Sequence, residues 1–148
     1  MPSVAVVLAA GLGVRMKSKL PKVLHPVLGV PMVSHVVQAL KDAGVDEIIA
    51  VLGYEAQQVE AVLQGKAHFV YQNEQLGTGH AVLQALPKLL EYGEGDCLVV
   101  CGDTPLLTGE TLAKLRQTHQ EKQAKATILT AILEDPTGYG RIVKENGR

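Results

Sequence analysis

Tryptophan is absent from this 148-residue sequence, and four tyrosines with one phenylalanine hold the aromatic share to 3%. So few rings offer no obvious stacking platform for single-stranded nucleic acid or carbohydrate. An excess of one charge is missing too. With 14 basic and 15 acidic residues the net charge is −1, far from the basic balance of a nucleic-acid binder. No apolar run reaches the roughly 20 residues of a membrane span, since the longest, Val4 to Val14, is interrupted by Gly11 and Gly13. No basic residue precedes that run and a charged loop follows it, unlike a secretory leader. The expectation is a mature cytoplasmic protein with no membrane partner. Cysteine is scarce: Cys97 and Cys101 stand alone, four positions apart on a β-rich stretch. Extended chain separates them by about 13 Å, beyond disulfide reach, so both are expected as reduced core thiols. His25, His35, His68, His80 and His119 are scattered without zinc-ligand spacing.

What is present is a composition of 47% apolar residues, enough for one domain with a real core. Val4 to Leu8 is a continuous aliphatic run closed by Ala9-Ala10-Gly11, as in a strand buried on both faces of a parallel sheet. Met32, Val36, Val37 and Leu40 recur at helical spacing with Gly44 as a stop, and Glu47 to Leu52 reads as a second strand. A short helix through Val59, Val62 and Leu63 precedes a strand at His68 to Tyr71. Val82, Leu83, Leu86 and Leu90 form a further helical stripe, which Pro87 is expected to kink or shorten. Cys97 to Cys101 is the next strand, Leu112, Leu115 and His119 mark a helix, and Thr127 to Leu133 reads as a last strand apolar on both faces. The alternation predicts an α/β, Rossmann-like fold with a mostly parallel central sheet and helices on both faces. Ile142 to Glu145 followed by Asn146-Gly147 is a hairpin signal with only Arg148 beyond the turn. The expectation is a chain cut before its domain is complete, with a frayed terminus as the alternative.

Charge is unevenly placed. Met1 to Lys41 holds five basic residues and no acid, against 9 basic and 15 acidic residues in the remainder. Four of the five, Arg15, Lys17, Lys19 and Lys22, lie in one loop beside glycines, as suits a compact anion such as phosphate, although a solvated basic loop has the same composition. The loop begins Gly11-Leu12-Gly13, yet Met16 occupies the place of the third glycine of a dinucleotide fingerprint, and no GxxxxGK[ST] motif exists. Two other loops follow strands and share the carboxyl edge where open sheets bind ligands. In Gln72 to Gly79, the Gln72 carboxamide can donate and accept in one plane toward a pyrimidine, and Gly77 permits close approach to a base. A polar turn with Thr78 as helix cap is the other reading. Asp103, in Gly102-Asp103-Thr104-Pro105, suits a Mg²⁺ ligand, or a turn or N-cap residue.

Taken together, Leu8-Ala9-Ala10-Gly11-x-Gly13-x-Arg15-Met16, Leu20-Pro21-Lys22-Val23-Leu24-His25, Gln75-Leu76-Gly77-Thr78-Gly79-His80-Ala81, Gly102-Asp103-x-Pro105-Leu106 and Asp135-Pro136-Thr137-Gly138-Tyr139-Gly140-Arg141-Ile142 carry a resemblance. The sequence resembles the N-terminal domain of the bifunctional bacterial N-acetylglucosamine-1-phosphate uridyltransferases and glucosamine-1-phosphate acetyltransferases. Val14 departs from that family, which usually has Thr there. The resemblance implies that residues 1–148 are the N-terminal part of a nucleotidyltransferase domain, with the acetyltransferase β-helix absent. It implies UTP and N-acetylglucosamine 1-phosphate as substrates, giving UDP-N-acetylglucosamine and pyrophosphate for cell-envelope precursors, with Mg²⁺ as cofactor. Another sugar-phosphate nucleotidyltransferase, or a non-catalytic nucleotide-binding fragment, is the alternative. By the same resemblance Leu8, Ala9, Ala10 and Gly11 hold the nucleotide, Gln72, Gly77 and Thr78 read uracil and ribose, and Lys22 contacts phosphate. Arg15 stabilises the leaving pyrophosphate, Asp103 holds the metal, and Cys101, Gly102 and Gly140 complete the substrate contacts. Members trimerise through the absent C-terminal domain, so this chain is expected to be monomeric, to bind nucleotide weakly and to turn over poorly.

Overall fold

The computed structural model describes residues 2–13 and 16–145, so Val14, Arg15 and the Asn146-Gly147 turn lie outside the described residues. Strand β1 (Val4–Ala9) pairs in parallel with β4 (Glu47–Leu52) on one side and β6 (Cys97–Cys101) on the other, and β5 (His68–Tyr71) pairs in parallel with β4. The sheet order is β5-β4-β1-β6, and a small antiparallel ribbon joins β2 (Pro26–Val27) to β3 (Val30–Pro31). Parallel neighbours require crossovers, and helices supply them: α1 (Met32–Asp42), α2 (Ala56–Leu63) and α3 (Thr78–Leu90), with α4 (Gly109–Glu121) following β6. Side chains alternate along each strand, so β1 feeds two cores. Ala5, Val7 and Ala9 pack with Ile48, Ala50 and Leu52 under α1, α2 and Leu112 of α4, while Val4 and Val6 pack with Ile49 and Val51 under α3. No described helix is long and apolar enough to cross a membrane.

Local chemistry sets the ends. After α1, Gly44 takes φ +74°, its N–H bonds to Lys41 O at 2.9 Å and that of Val45 reaches back to Leu40 O at 3.0 Å. That is a Schellman stop, and the Gly44 reading from the sequence holds. Arg116 of α4 donates to the Ala43 carbonyl at 2.9 Å, joining the two helices where α1 ends. The start of α4 is capped by Thr108, whose Oγ1 accepts from the Thr111 N–H at 3.2 Å.

The structure departs from the sequence expectations at five places. Of the kink or shortening expected at Pro87, the shortening does not occur, and α3 runs on to Leu90. The stripe of Leu83, Leu86 and Leu90 is exposed, and Ala81 and Ala85 are the buried positions, because only small side chains let α3 lie close on the sheet. Cys97 and Cys101 are free, as expected, but exposed rather than core, since β6 is the outer strand on its side among the described residues. Thr127 to Leu133 forms no strand: residues 125–145 carry no helix or ladder, and Ile128 and Ile132 stand in solvent. A strand is stable only when its amides are paired, and this stretch does not pair with β6. Ile142 to Glu145 likewise joins no ladder.

Candidate functional site

All four parallel strands end on one edge, and the loops leaving them converge there. The β1 loop begins with buried Ala10 and exposed Gly11. Among the described residues no atom beyond its chain neighbours lies within 4 Å of where a Gly11 Cβ would stand, so none of them demands glycine at that position. Gly13 is different: it sits at φ +58°, and a Cβ would meet the Lys22 Cβ at 2.8 Å. The loop folds over the base of Lys22 only because no side chain intervenes. Lys22 opens a 3-10 turn (Lys22–Leu24) pinned by buried Pro21, Val23 and Leu24. Its ammonium projects to the tip of β6 and donates to Asp103 Oδ2 at 2.5 Å, with side chains 43% and 30% exposed. Gly102 links β6 to β1 through its N–H to the Leu8 carbonyl at 2.9 Å, and a Cβ there would press on Leu8 O and Val23 Cγ1. Beside them Cys101, exposed as a residue but with its sulfur partly covered, has its thiol pushed up from its ordinary value, first by that partial desolvation and then by the Asp103 carboxylate, with Lys22 opposing.

The third loop is organised by Gln72, the only buried polar side chain among the described residues, 3% exposed. Its backbone N–H donates to Leu52 O at 2.7 Å, and its Nε2 donates to the Gly77 carbonyl at 3.0 Å and to His80 Nδ1 at 2.9 Å. A buried amide needs such partners, because leaving it unpaired would cost a few kcal/mol. Gly77, at φ +96°, caps α3 without a side-chain bond, so Thr78 is the first helical residue and not the cap. Asp103 is not an N-cap either, since Thr108 has that role.

The structure thus brings Leu8, Ala9, Ala10, Gly11, Lys22, Gln72, Gly77, Thr78, Cys101, Gly102 and Asp103 to one edge. Arg15 lies outside the described residues. Gly140 is exposed in the irregular stretch, and no ladder or backbone hydrogen bond of its own ties it to the edge among the described residues. Sequence reasoning missed three contributors. Gln75 donates to Ala10 O at 2.8 Å, Gly53 leaves room for that contact because a Cβ would lie 2.7 Å from the same oxygen, and His80 holds Gln72. Gly53 had a readable signal, a glycine directly after a strand; the other two became meaningful only through their partners. No group of three or more potential metal-ligating side chains occurs among the described residues.

Comparison with known proteins gives the family. The model of the MobA-like NTP transferase domain matches residues 5–140. The bifunctional protein GlmU of Listeria welshimeri is 58% identical over 142 residues, 96% of this chain and 31% of the relative. The chain therefore spans less than a third of the length of such relatives. Among solved structures, a nucleotidyl transferase from Methanothermobacter thermautotroptrophicus superposes with a TM-score of 0.67 at 31% identity, over 78% of this chain and 57% of that one. A UTP-bound UGPase from Acinetobacter baumannii gives 0.66 at 26% identity, over 84% and 54%. With a loop-lined carboxyl edge on a parallel sheet and a family match across nearly its whole length, the chain belongs to the MobA-like NTP transferase domains.

Proposed function

We propose that this chain serves uridylyl transfer from UTP to N-acetylglucosamine 1-phosphate, releasing pyrophosphate and forming UDP-N-acetylglucosamine. The observation that carries the reading is the Lys22 and Asp103 pair, a movable cation and a carboxylate meeting over the glycine loop at 2.5 Å. The 58% identity to a GlmU supports the choice of substrates. In this reading residues 1–148 are the N-terminal part of the transferase domain, working in the cytoplasm. The acetyltransferase and its trimer belong to sequence outside this chain.

The sugar phosphate oxygen attacks the α-phosphorus of UTP in line, the bond to the β-phosphate oxygen breaks, and pyrophosphate departs with that electron pair. Two anions must meet, so the protein contributes position and positive potential rather than a nucleophile. Leu8, Ala9, Ala10 and Gly11 line the nucleotide, with space at Gly11 that no described residue fills. Gln72, Gly77 and Thr78 face the base and ribose, Cys101, Gly102 and Gly140 flank the substrates, and Lys22 leaves Asp103 for phosphate. Arg15 steadies the departing charge.

Asp103 suits a Mg²⁺ ligand on its own chemistry. It is a part-exposed carboxylate whose Oδ2 takes Lys22 and whose Oδ1 has no hydrogen bond among the described residues. Mg²⁺ is ordinarily held by one or two carboxylates together with phosphate oxygens and water, so Asp103 would hold it jointly with the nucleotide. The ion when bound neutralises phosphate charge. The test is pyrophosphate release with UTP and N-acetylglucosamine 1-phosphate, against a panel of other nucleoside triphosphates and sugar phosphates. Preference for this pair is expected, and a clear preference for another pair overturns the assignment.

A further inference from the structure

The contact between Gln72 and His80 carries more than local stability. A backbone carbonyl can only accept, so the group 3.0 Å from Gly77 O must be the Gln72 amide nitrogen. Turning the carboxamide over would set two oxygens against each other. With Nε2 fixed, its second hydrogen points at His80 Nδ1, 2.9 Å away, and that ring nitrogen must carry a lone pair. The imidazole is then neutral with its proton on Nε2. A neutral ring accepts through one nitrogen only. The Gln84 carboxamide, 3.1 Å from His80 Nε2, must therefore turn its oxygen to the ring and swing away from the His80 carbonyl, which lies 3.3 Å from the same position and would otherwise face that oxygen. That carbonyl loses little, because it already lies within the hydrogen-bond ladder of α3.

Both hydrogens of the Gln72 amide are consumed by the protein, while Oε1 accepts no hydrogen bond from the described residues. The carboxamide that could in principle both donate and accept toward a ligand is thereby reduced to an acceptor. We propose that His80 is a positioning residue for base selection: by accepting through Nδ1 it locks Gln72 with Oε1 toward the ligand, so the site takes a base presenting a ring N–H. Uracil presents N3–H, whereas cytosine presents a lone pair at the same atom and meets the oxygen in repulsion. The inference rests on the reading of Gln72 as the residue that faces the base.

Two measurements test it. Long-range ¹H–¹⁵N spectra of the histidine rings should show His80 with Nδ1 unprotonated and the proton on Nε2; the opposite tautomer overturns the proposal. Calorimetry then compares UTP with CTP on the full chain and on H80L, H80N and Q72L. The wild-type chain should prefer UTP. His80→Leu removes the acceptor and frees the amide to rotate, so the preference should fall about tenfold, the equivalent of about 1.4 kcal/mol. Asn offers an oxygen close to the place of Nδ1, and His80→Asn should hold the preference within about threefold. Equal losses in the Leu and Asn variants would make His80 a packing residue and overturn the proposal. Loss in Gln72→Leu with none in folded His80→Leu overturns the role of His80 alone. Preference unchanged in both, or no nucleotide binding by the wild-type chain, overturns the base reading and this inference with it. Should His80→Leu fail to fold, the tautomer and the Asn variant decide between the same two results.

Discussion

Lys22 and Asp103 are 81 positions apart and meet at 2.5 Å because β1 and β6 are neighbours in the sheet. Both side chains are substantially exposed, so their ion pair contributes about 0 to 1 kcal/mol to folding. In the proposed reaction it holds a cation where phosphate would arrive. In the complete domain Lys22→Ala should therefore leave the thermal midpoint nearly unchanged and lower uridylyl transfer by about 10² to 10³, measured as pyrophosphate release. Near-normal turnover by the folded variant would remove Lys22 from the site. A second expectation concerns Cys101, whose thiol is pushed up by partial desolvation and by Asp103. At neutral pH iodoacetamide should label it more slowly than an unfolded peptide cysteine, with the rate still rising above the usual thiol range. Asp103→Asn removes the negative neighbour and should speed labelling, read by mass spectrometry in a Cys97→Ser background. Residue types at this scale were readable from the sequence: a loop with two glycines and four cations, a carboxylate after a strand, an amide after another. Which atom of Gln72 remains for a ligand was not, because Gly77 and His80 decide it through a turn and a helix start.

Among the elements, the boundaries of β4, β5 and β6 fall where the sequence put them, since short β-branched runs bounded by glycine, charge or polar turns leave little choice. Helix faces were harder. In α3 the leucines at 83, 86 and 90 and the alanines at 81 and 85 both recur at helical spacing, and hydrophobicity alone favours the wrong stripe. The sheet selects the small one because it permits close approach. The seam between α1 and α4 has the same logic, with a Gly109 Cβ set to collide with Asp42 Cβ at 2.6 Å and Leu112 only 1% exposed beneath. Leu112→Ala should cost about 2 to 5 kcal/mol of stability, seen in urea unfolding, by opening a cavity under α4. A loss below about 1 kcal/mol would mean that the helix settles into the space. The Thr127 to Leu133 stretch shows the limit of pattern reading: its residues favour a strand, but a strand also needs a partner edge.

For the whole molecule, β1 and β4 lie between two cores, and 125–145 has neither core nor ladder. Amide exchange should divide accordingly. Interior amides of β1 and β4 should exchange only through global opening, and those of 125–145 at rates close to an unfolded chain. Slow exchange across 127–133 would show that this stretch is paired in solution. Parallel topology was legible as soon as strands and helices alternated, because parallel neighbours need crossovers and those crossovers are right-handed with few exceptions. Composition and periodicity by themselves determined an α/β domain with a loop-lined ligand edge, since hydrophobic period, glycine freedom and charge are properties of short stretches of chain. Tertiary structure alone decided that Lys22 faces Asp103, that β6 leaves Cys97 and Cys101 exposed, that α3 buries its alanines, and that His80 meets Gln72. Each depends on distances between segments remote in sequence, and those are fixed only when the sheet chooses its order and the helices settle on its faces.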